Sequence, residues 1–452
     1  MDMLTKYPVL DERVMIYLTP AGTFVYNLDY KGTSVRKKKI ELNKSGEDLL
    51  LNFNGNESLE NIIRKLTDSE ESFRLSLPLV LDFLMKISEF IPIKFYDRKT
   101  PTEIRIKGNK NRWIPMHVSL ELTNKCNLIC RYCYNESSPD KKDFLIQPIK
   151  VLQKLYELGT ELIELTGGEP LLHPEICKIL SFACQKFSLT ALLTNGCLIN
   201  EEIIEILKEY RNKCIVQVSL HGSTPEKAEK TNGVRKAFFK IIKAIENLSK
   251  EGIVVRVGMV IDTLEKIDDI ENTLILAKNL GATYFQVSTA LPLGRANGLE
   301  IKFIEKNISK LEYILISLYQ KYYPFFTSKV ELEMEEFGIN ESHNCGAGYK
   351  SVTIGPEGRI RVCSLSAGDF CTIGKVNYSS DKDLIRLSAQ KTNLFSKLEA
   401  PNKKICNNCK EISYCSKCIV RGLSKSKEIG EENCNWIKKN LEIIKKIYNT
   451  LD

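Results

Sequence analysis

Long apolar runs are missing from this chain. No stretch of about 18 or more uncharged apolar residues occurs in its 452 residues, which excludes an ordinary membrane-spanning helix. The opening Met-Asp-Met-Leu-Thr-Lys-Tyr-Pro lacks the basic start and apolar core of a secretory signal. A cytoplasmic protein with no membrane partner is therefore expected. Internal repeats and low-complexity tracts are also missing. So is any motif that interleaves aromatic and basic residues to read nucleic acid. The net charge of +8 is spread over many lysines, as on a solvated surface, and no nucleic-acid partner is expected.

Cysteine, by contrast, is abundant. Fifteen cysteines without a secretory signal do not form a disulfide framework. In a reducing compartment that many thiols point to metal. Eleven fall in two clusters, 126–133 and 345–434. Cys177, Cys184, Cys197 and Cys214 lie apart in apolar segments and are expected as small core residues. With 43% hydrophobic and 27% charged residues, the rest reads as an ordinary globular protein of about two to four domains.

The run Thr-Asn-Lys-Cys-Asn-Leu-Ile-Cys-Arg-Tyr-Cys-Tyr carries Cys126, Cys130 and Cys133 in the spacing C-x3-C-x2-C. A cubane cluster of four irons normally takes four thiolates. Three leave one iron open to another ligand. A zinc knuckle is the plainer alternative, but structural zinc sites use closed sets of four Cys and His ligands.

From residue 117 the pattern alternates strand and helix. Strands are predicted at 117–122, 162–166, 189–194, 215–220, 253–260 and 284–288, with helices at 236–250 and 266–280 between them. Thr224-Pro225-Glu226 reads as a helix start. Six such units predict an α/β fold, a partial (β/α)6 barrel whose strand ends converge on one face. The cysteine loop follows the first strand. Thr166-Gly167-Gly168-Glu169-Pro170 ends the second, Thr194-Asn195-Gly196 the third and Ser219-Leu-His221-Gly222 the fourth. The two glycines allow close backbone approach. Residues 1–100 form a separate unit, with short strands near 13–17 and 23–28 and helices at 42–51, 59–66 and 77–90. A Lys- and Arg-bearing linker is expected at 101–115, the barrel at 116–310, a bridging region at 311–344 and a cysteine-rich domain at 345–452.

Taken together, these motifs resemble the radical S-adenosylmethionine (radical SAM) enzymes. The resemblance implies that the methionyl end of SAM chelates the open iron. It assigns Tyr132, Gly167, Gly168, Glu169, Asn195, Ser219 and Arg256 to SAM, with Glu169 as an acceptor for its ammonium group. Arg235 and Arg295 are alternatives to Arg256 for the SAM carboxylate. His221 stands where many relatives have Asp. Residues 1–100 resemble the PqqD-like winged-helix element that binds leader peptides, through segments such as Gly55-Asn-Glu-Ser-Leu-Glu-Asn-Ile-Ile. Cys345, Cys363, Cys406, Cys409, Cys415, Cys418 and Cys434 resemble the SPASM domain of auxiliary clusters. Family pairing implies one cluster on Cys406, Cys409, Cys415 and Cys434, and another on Cys345, Cys363 and Cys418. Cys371 either completes the second or leaves an open iron. A zinc ribbon on Cys406, Cys409, Cys415 and Cys418 is the plainer reading.

The three-part order resembles the sactipeptide maturases, which join a cysteine sulfur to a carbon of another residue. Three [4Fe–4S] clusters, SAM, a precursor peptide bound through its leader and a flavodoxin- or ferredoxin-type electron donor are implied. Ranthipeptide maturases, peptide epimerases, carbon–carbon crosslinkers and sulfatase-type maturases share modules. A non-catalytic iron–sulfur scaffold is the alternative of another class. Arg36, Lys37, Lys38 and Lys39 are expected to favour an acidic leader.

Overall fold

The computed structural model describes residues 2–28, 39–141, 146–298, 307–327, 344–366, 369–381 and 383–450. The chain divides between Ile114 and Pro115 into two compact units. Arg36, Lys37 and Lys38 lie outside the described residues, as do residues 328–343 of the bridging region.

In the N-terminal unit, strands β1 (Tyr7–Leu10), β2 (Val14–Thr19), β3 (Gly22–Asn27) and β4 (Lys39–Leu42) precede helices α1 (Lys44–Leu50), α2 (Leu59–Lys65) and α3 (Glu70–Ser88). Strands β5 (Ile93–Tyr96) and β6 (Arg105–Gly108) follow. One sheet has the order β4-β3-β2-β6, and β1 pairs with β5. Ile16 faces Val25 across β2 and β3. Both are buried against Leu50, Phe53, Ile62 and Ile87. Each helix is capped: Asn43, Ser58 and Ser69 accept from backbone N–H groups three residues on. The Ser69 cap starts α3 at Glu70, earlier than its apolar period from 77 indicates. The stretch 101–115 is not wholly a linker, since Arg105–Gly108 pairs parallel to β2. Its Arg-Ile-Lys-Gly leaves Ile106 exposed at a sheet edge, so no apolar alternation marks it.

The C-terminal unit opens with β7 (His117–Glu121), β8 (Leu162–Thr166), β9 (Leu189–Thr194), β10 (Cys214–Ser219), β11 (Val254–Ile261) and β12 (Tyr284–Thr289). Each lies within one residue of its predicted window at either end. Neighbours in sequence pair in parallel, giving the order β12-β11-β10-β9-β8-β7. The connecting helices are α4 (Pro148–Leu158), α5 (Ile176–Lys186), α6 (Glu201–Glu209), α7 (Pro225–Asn232), α8 (Ala237–Lys250), α9 (Leu264–Ile267) and α10 (Ile270–Asn279). In α8, Phe238, Ile241, Ala244, Ile245 and Leu248 form the buried stripe, packing with Val216, Val218, Val255 and Val257.

The opposite face of these strands is polar. Ser119 donates to Glu164, His117 Nε2 lies 3.3 Å from the other Glu164 oxygen, and Gln286 donates to Gln217 at 2.8 Å. This is an α/β partial barrel with a polar lumen.

Beyond it come helix Ile308–Tyr322 and strands β13 (Ser351–Ile354), β14 (Arg359–Arg361), β15 (Thr372–Val376) and β16 (Ile385–Leu387). Strand β13 pairs in parallel with β7, Ser351 level with His117. The ten strands from β7 to β16 therefore form one sheet. The region from 345 shares both sheet and core with the barrel: Val352, Ile354 and Ile360 pack in the same cluster as Val118 and Leu120.

Candidate functional site

The cysteine loop leaves the carboxyl end of β7 and is fastened to three neighbours. Gly168 N donates to Thr123 O at 2.7 Å and Glu169 N to Lys125 O at 2.8 Å. A Cβ on Gly168 would lie 2.1 Å from Lys125 O, and one on Gly167 2.5 Å from Thr123 O. Gly167 also has φ +131°. The paired glycines are thus needed for backbone to meet backbone. On the other side, Ile129 N and Arg131 N donate to Asn232 O and Thr231 O, at the end of α7. That helix begins where the sequence placed it, with Thr224 as N-cap and Pro225 in the first turn. The third fastening is Arg295. Its N, Nε and Nη1 donate to Cys133 O, Cys130 O and Ser137 O at 3.1, 2.9 and 2.9 Å.

Glu169 is fully buried. Its Oε1 accepts from Thr194 Oγ1 at 2.7 Å and Leu171 N at 3.1 Å, and its Oε2 accepts from Asn195 N at 2.8 Å. Burial pushes its carboxyl up to about 7, against the pull of those three donors. The carboxylate locks the turn after β8 to the end of β9. Asn195 in turn reaches the cysteine loop: its Nδ2 lies 2.8 Å from Asn127 Oδ1 and 3.8 Å from Cys126 Sγ.

Tyr132 is held by His221. The rings meet edge to face with centroids 4.9 Å apart, and Tyr132 Oη bonds to His221 Nε2. Val260 N donates to His221 Nδ1 at 3.1 Å. Nδ1 is therefore the acceptor, and in the neutral ring the proton sits on Nε2. Burial, then the nearby Lys266 charge, holds His221 well below its usual range. Behind it, Lys266 pairs with buried Asp262 at 2.6 Å, and Arg131 lies 3.3 Å from the other oxygen.

The remaining expected residues spread out. Ser219 ends β10 level with Gly258, whereas Arg256 is level with Gln217, two residues closer to the strand starts. Arg235 is exposed in the turn before α8. Arg295 braces the cysteine loop. The structure does not bring the three arginines to one spot.

All fifteen cysteines are unpaired thiols. Among the described residues no three His, Cys, Asp or Glu side chains group closely enough to hold a single metal ion. A cubane differs, because each thiolate binds a separate iron and the sulfurs stand apart. Three sets of thiols interact electrostatically. Cys126, Cys130 and Cys133 form the first. Cys406, Cys409, Cys415 and Cys434 interact and line one cavity. Cys363 feels Cys345 and Cys418, and Cys371 feels Cys363. Burial, with neighbouring thiolates adding, pushes Cys126 and Cys363 up to about 11 and Cys130, Cys371 and Cys415 up to about 12. Such thiols do not ionise alone near neutrality, whereas iron coordination deprotonates them. The donor sets fit iron–sulfur clusters. Of the scattered cysteines, Cys184 and Cys214 are buried in the core, and Cys177 and Cys197 are half-buried.

Sequence reasoning placed Thr194 at a strand end but missed its bond to Glu169, and it missed the Arg295 brace and a buried pair between Glu121 and Arg361. Glu121 lies just upstream of the cysteine motif and Arg361 two residues before Cys363. That proximity was the available signal.

Residues 120–315 match the Radical SAM superfamily model. The chain is 29% identical over 444 residues to the antilisterial bacteriocin subtilosin biosynthesis protein AlbA of Bacillus subtilis, covering 96% of each. It is 27% identical to the sporulation killing factor maturation protein SkfB of the same organism, over 58% of this chain and 63% of that one. Among solved structures, Streptococcus suis SuiB bound to S-adenosylmethionine superposes with a TM-score of 0.62 at 16% identity, covering 92% of this chain and 96% of that one. At that identity the likeness shows the fold.

Proposed function

We propose that this chain, whose residues 120–315 match the Radical SAM superfamily model, is a radical SAM enzyme that crosslinks a ribosomally made precursor peptide through thioether bonds. The observation that carries the reading is the three-thiol loop of Cys126, Cys130 and Cys133, locked by Gly167, Gly168 and Glu169 at the mouth of parallel strands. Cys126, Cys130 and Cys133 would hold a cluster that, with SAM bound, would supply radical chemistry able to remove hydrogen from an unactivated C–H bond. The chain's own residues do the positioning. Tyr132, oriented by His221, offers an aromatic wall beside the cysteine loop. Asn195 and Glu169 hold the loop against β9, and Ser219 stands at the mouth of β10. The polar lumen suits a peptide backbone, whose N–H and C=O groups need partners once water is excluded.

Cys406, Cys409, Cys415 and Cys434 form a complete set for one auxiliary cluster in a SPASM-type domain. Cys345, Cys363 and Cys418 form a second set, with Cys371 beside Cys363 as its fourth candidate. Three clusters in all is our reading. Thioether closure releases the thiol proton and one electron, and a cluster held by either of these cysteine sets would be able to accept that electron. Residues 1–100 act as the leader-binding element, adding the peptide as a strand. A flavodoxin- or ferredoxin-type protein supplies electrons in the cytosol. The relation to AlbA over nearly the whole of both chains supports this class of substrate.

The test is anaerobic reconstitution with SAM, a reductant and a candidate cysteine-bearing precursor peptide, sought among small open reading frames beside the gene. The expected result is 5′-deoxyadenosine together with a mass loss of about two hydrogens per bridge. Unchanged peptide mass with deuterium uptake would instead assign an epimerase. No SAM cleavage at all would leave only a peptide-binding scaffold.

A further inference from the structure

We propose that Glu121 and Arg361 form a positioning strut, which holds the loop of Cys126, Cys130 and Cys133 at a fixed separation from the loop of Cys363. Glu121 is the last residue of β7 and Arg361 the last of β14, 240 positions apart in the chain. Between these strands runs β13, so the two backbones stand about 9.5 Å apart. Only two long side chains meet across that gap. Both residues are buried, Glu121 at 1% and Arg361 at 9% exposure.

Each end of the pair is tied to a thiol-bearing loop. Glu121 Oε1 accepts from Tyr134 Oη at 3.3 Å, and Tyr134 directly follows Cys133. Glu121 Oε2 accepts from Arg361 Nη2. Arg361 Nη1 donates to Ser364 O at 3.3 Å and Ser366 O at 3.1 Å. Ser366 Oγ closes the same loop on Cys363, accepting from Cys363 N at 3.2 Å and donating to Cys363 O at 2.5 Å. A continuous line of hydrogen bonds thus runs from the residue beside Cys133 to the backbone of Cys363.

Mere cohesion does not require this pair. The flanking core already joins the strands through Val118, Leu120, Val352 and Ile360. A buried ion pair is weak evidence for stability, because desolvation offsets its attraction. What the guanidinium adds is direction. Its planar fork fixes two loops at once, which the point charge of a lysine cannot reproduce.

This strut rests on the radical SAM reading above, and the experiment separates the two. Full-length protein with Arg361→Lys, Arg361→Met or Glu121→Gln is reconstituted anaerobically and its iron content measured. Two further quantities are read: the spin–spin broadening between reduced clusters by EPR, and the 5′-deoxyadenosine released per thioether formed. The expected result is wild-type iron content, altered broadening and more than about a fivefold rise in 5′-deoxyadenosine per thioether, since displacements near 1 Å are costly. Arg361→Lys should resemble Arg361→Met, and the double variant should be no worse than either single one. Unchanged broadening with a ratio within twofold of wild type would overturn the strut. Loss of iron in the charge-conserving Arg361→Lys would also overturn it, as that marks a residue holding the fold. If the wild-type protein forms no thioether, the substrate reading falls and the broadening alone decides the strut.

Discussion

At Glu169 three donors converge on two oxygens, and that arithmetic sets what a substitution does. A glutamine offers one acceptor and an NH2 group. With its oxygen toward Thr194 and Leu171, the NH2 would face Asn195 N–H, donor against donor. Glu169→Gln should therefore cost about 1–3 kcal/mol, read as a lower midpoint in urea unfolding of the metal-free protein. It should also slow iron uptake, because Asn195 reaches toward Cys126 Sγ. An unchanged midpoint would mean that the turn after β8 is held by its glycines alone. A second residue-scale outcome concerns acid. Arg13 and Lys94 flank Asp11 at 2.7 and 2.8 Å. Arg13 first, then Lys94, holds the Asp11 carboxyl well below the usual range. A depressed carboxylate contributes stability above its unfolded pKa near 4 and loses it as pH falls through the folded value. Both partners are about half exposed, so the contribution is about 1 kcal/mol. Protection factors for hydrogen exchange at Tyr7–Leu10 and Ile93–Tyr96 should fall below pH ~4, and Asp11→Asn should show that lower protection already at pH ~7.

Among the elements, α7 works as a clamp whose two ends do different things. Its far end takes the cysteine loop through Thr231 O and Asn232 O. Its near end is tied to the start of α10 by buried Asp269, which accepts from Ser223 N at 2.8 Å, Ser223 Oγ at 2.6 Å and Lys227 Nζ at 2.5 Å. Asp269→Ala strands these donors, and a loss of about 2–3 kcal/mol is expected. Thermal unfolding measures the loss. Limited proteolysis of the metal-free protein near Ile129–Arg131 should show whether the clamp has opened; wild-type resistance there would detach α7 from the loop. The sequence revealed α7 through Thr224-Pro225, and it revealed β7 to β12 through the repeated alternation of strand and helix patterns. It hid β6 and β13 to β16, which are three to five residues long and too short for a period to emerge. The cysteine spacings exposed the thiol sets. Glu121 and Arg361 each lie near a cysteine motif, but their pairing was not legible, since no local pattern reports a partner 240 residues away. Arg295 was legible as a functional arginine, but its attachment to Cys130 O and Cys133 O is a matter of tertiary geometry.

For the molecule as a whole, the thiol sets predict a divisible metal content. Cys409→Ser removes one member of the set around Cys406, Cys415 and Cys434. On the proposed three-cluster reading, iron per chain should fall from about twelve to about eight, and SAM should still alter the EPR signal of the cluster assigned to Cys126, Cys130 and Cys133. A fall to zero would show that the sets assemble together. The parallel pairing of β13 with β7 carries a consequence of another kind. As the nascent chain leaves the ribosome, the first barrel strand emerges more than two hundred residues ahead of the neighbour that covers its outer side. At ordinary translation speeds that interval lasts roughly ten to fifty seconds. Throughout it, His117–Glu121 keeps a bare edge of unpaired backbone N–H and C=O groups open to any passing strand. Synthesis stalled before residue 351 should yield aggregates, and chaperone demand during translation should peak in that window.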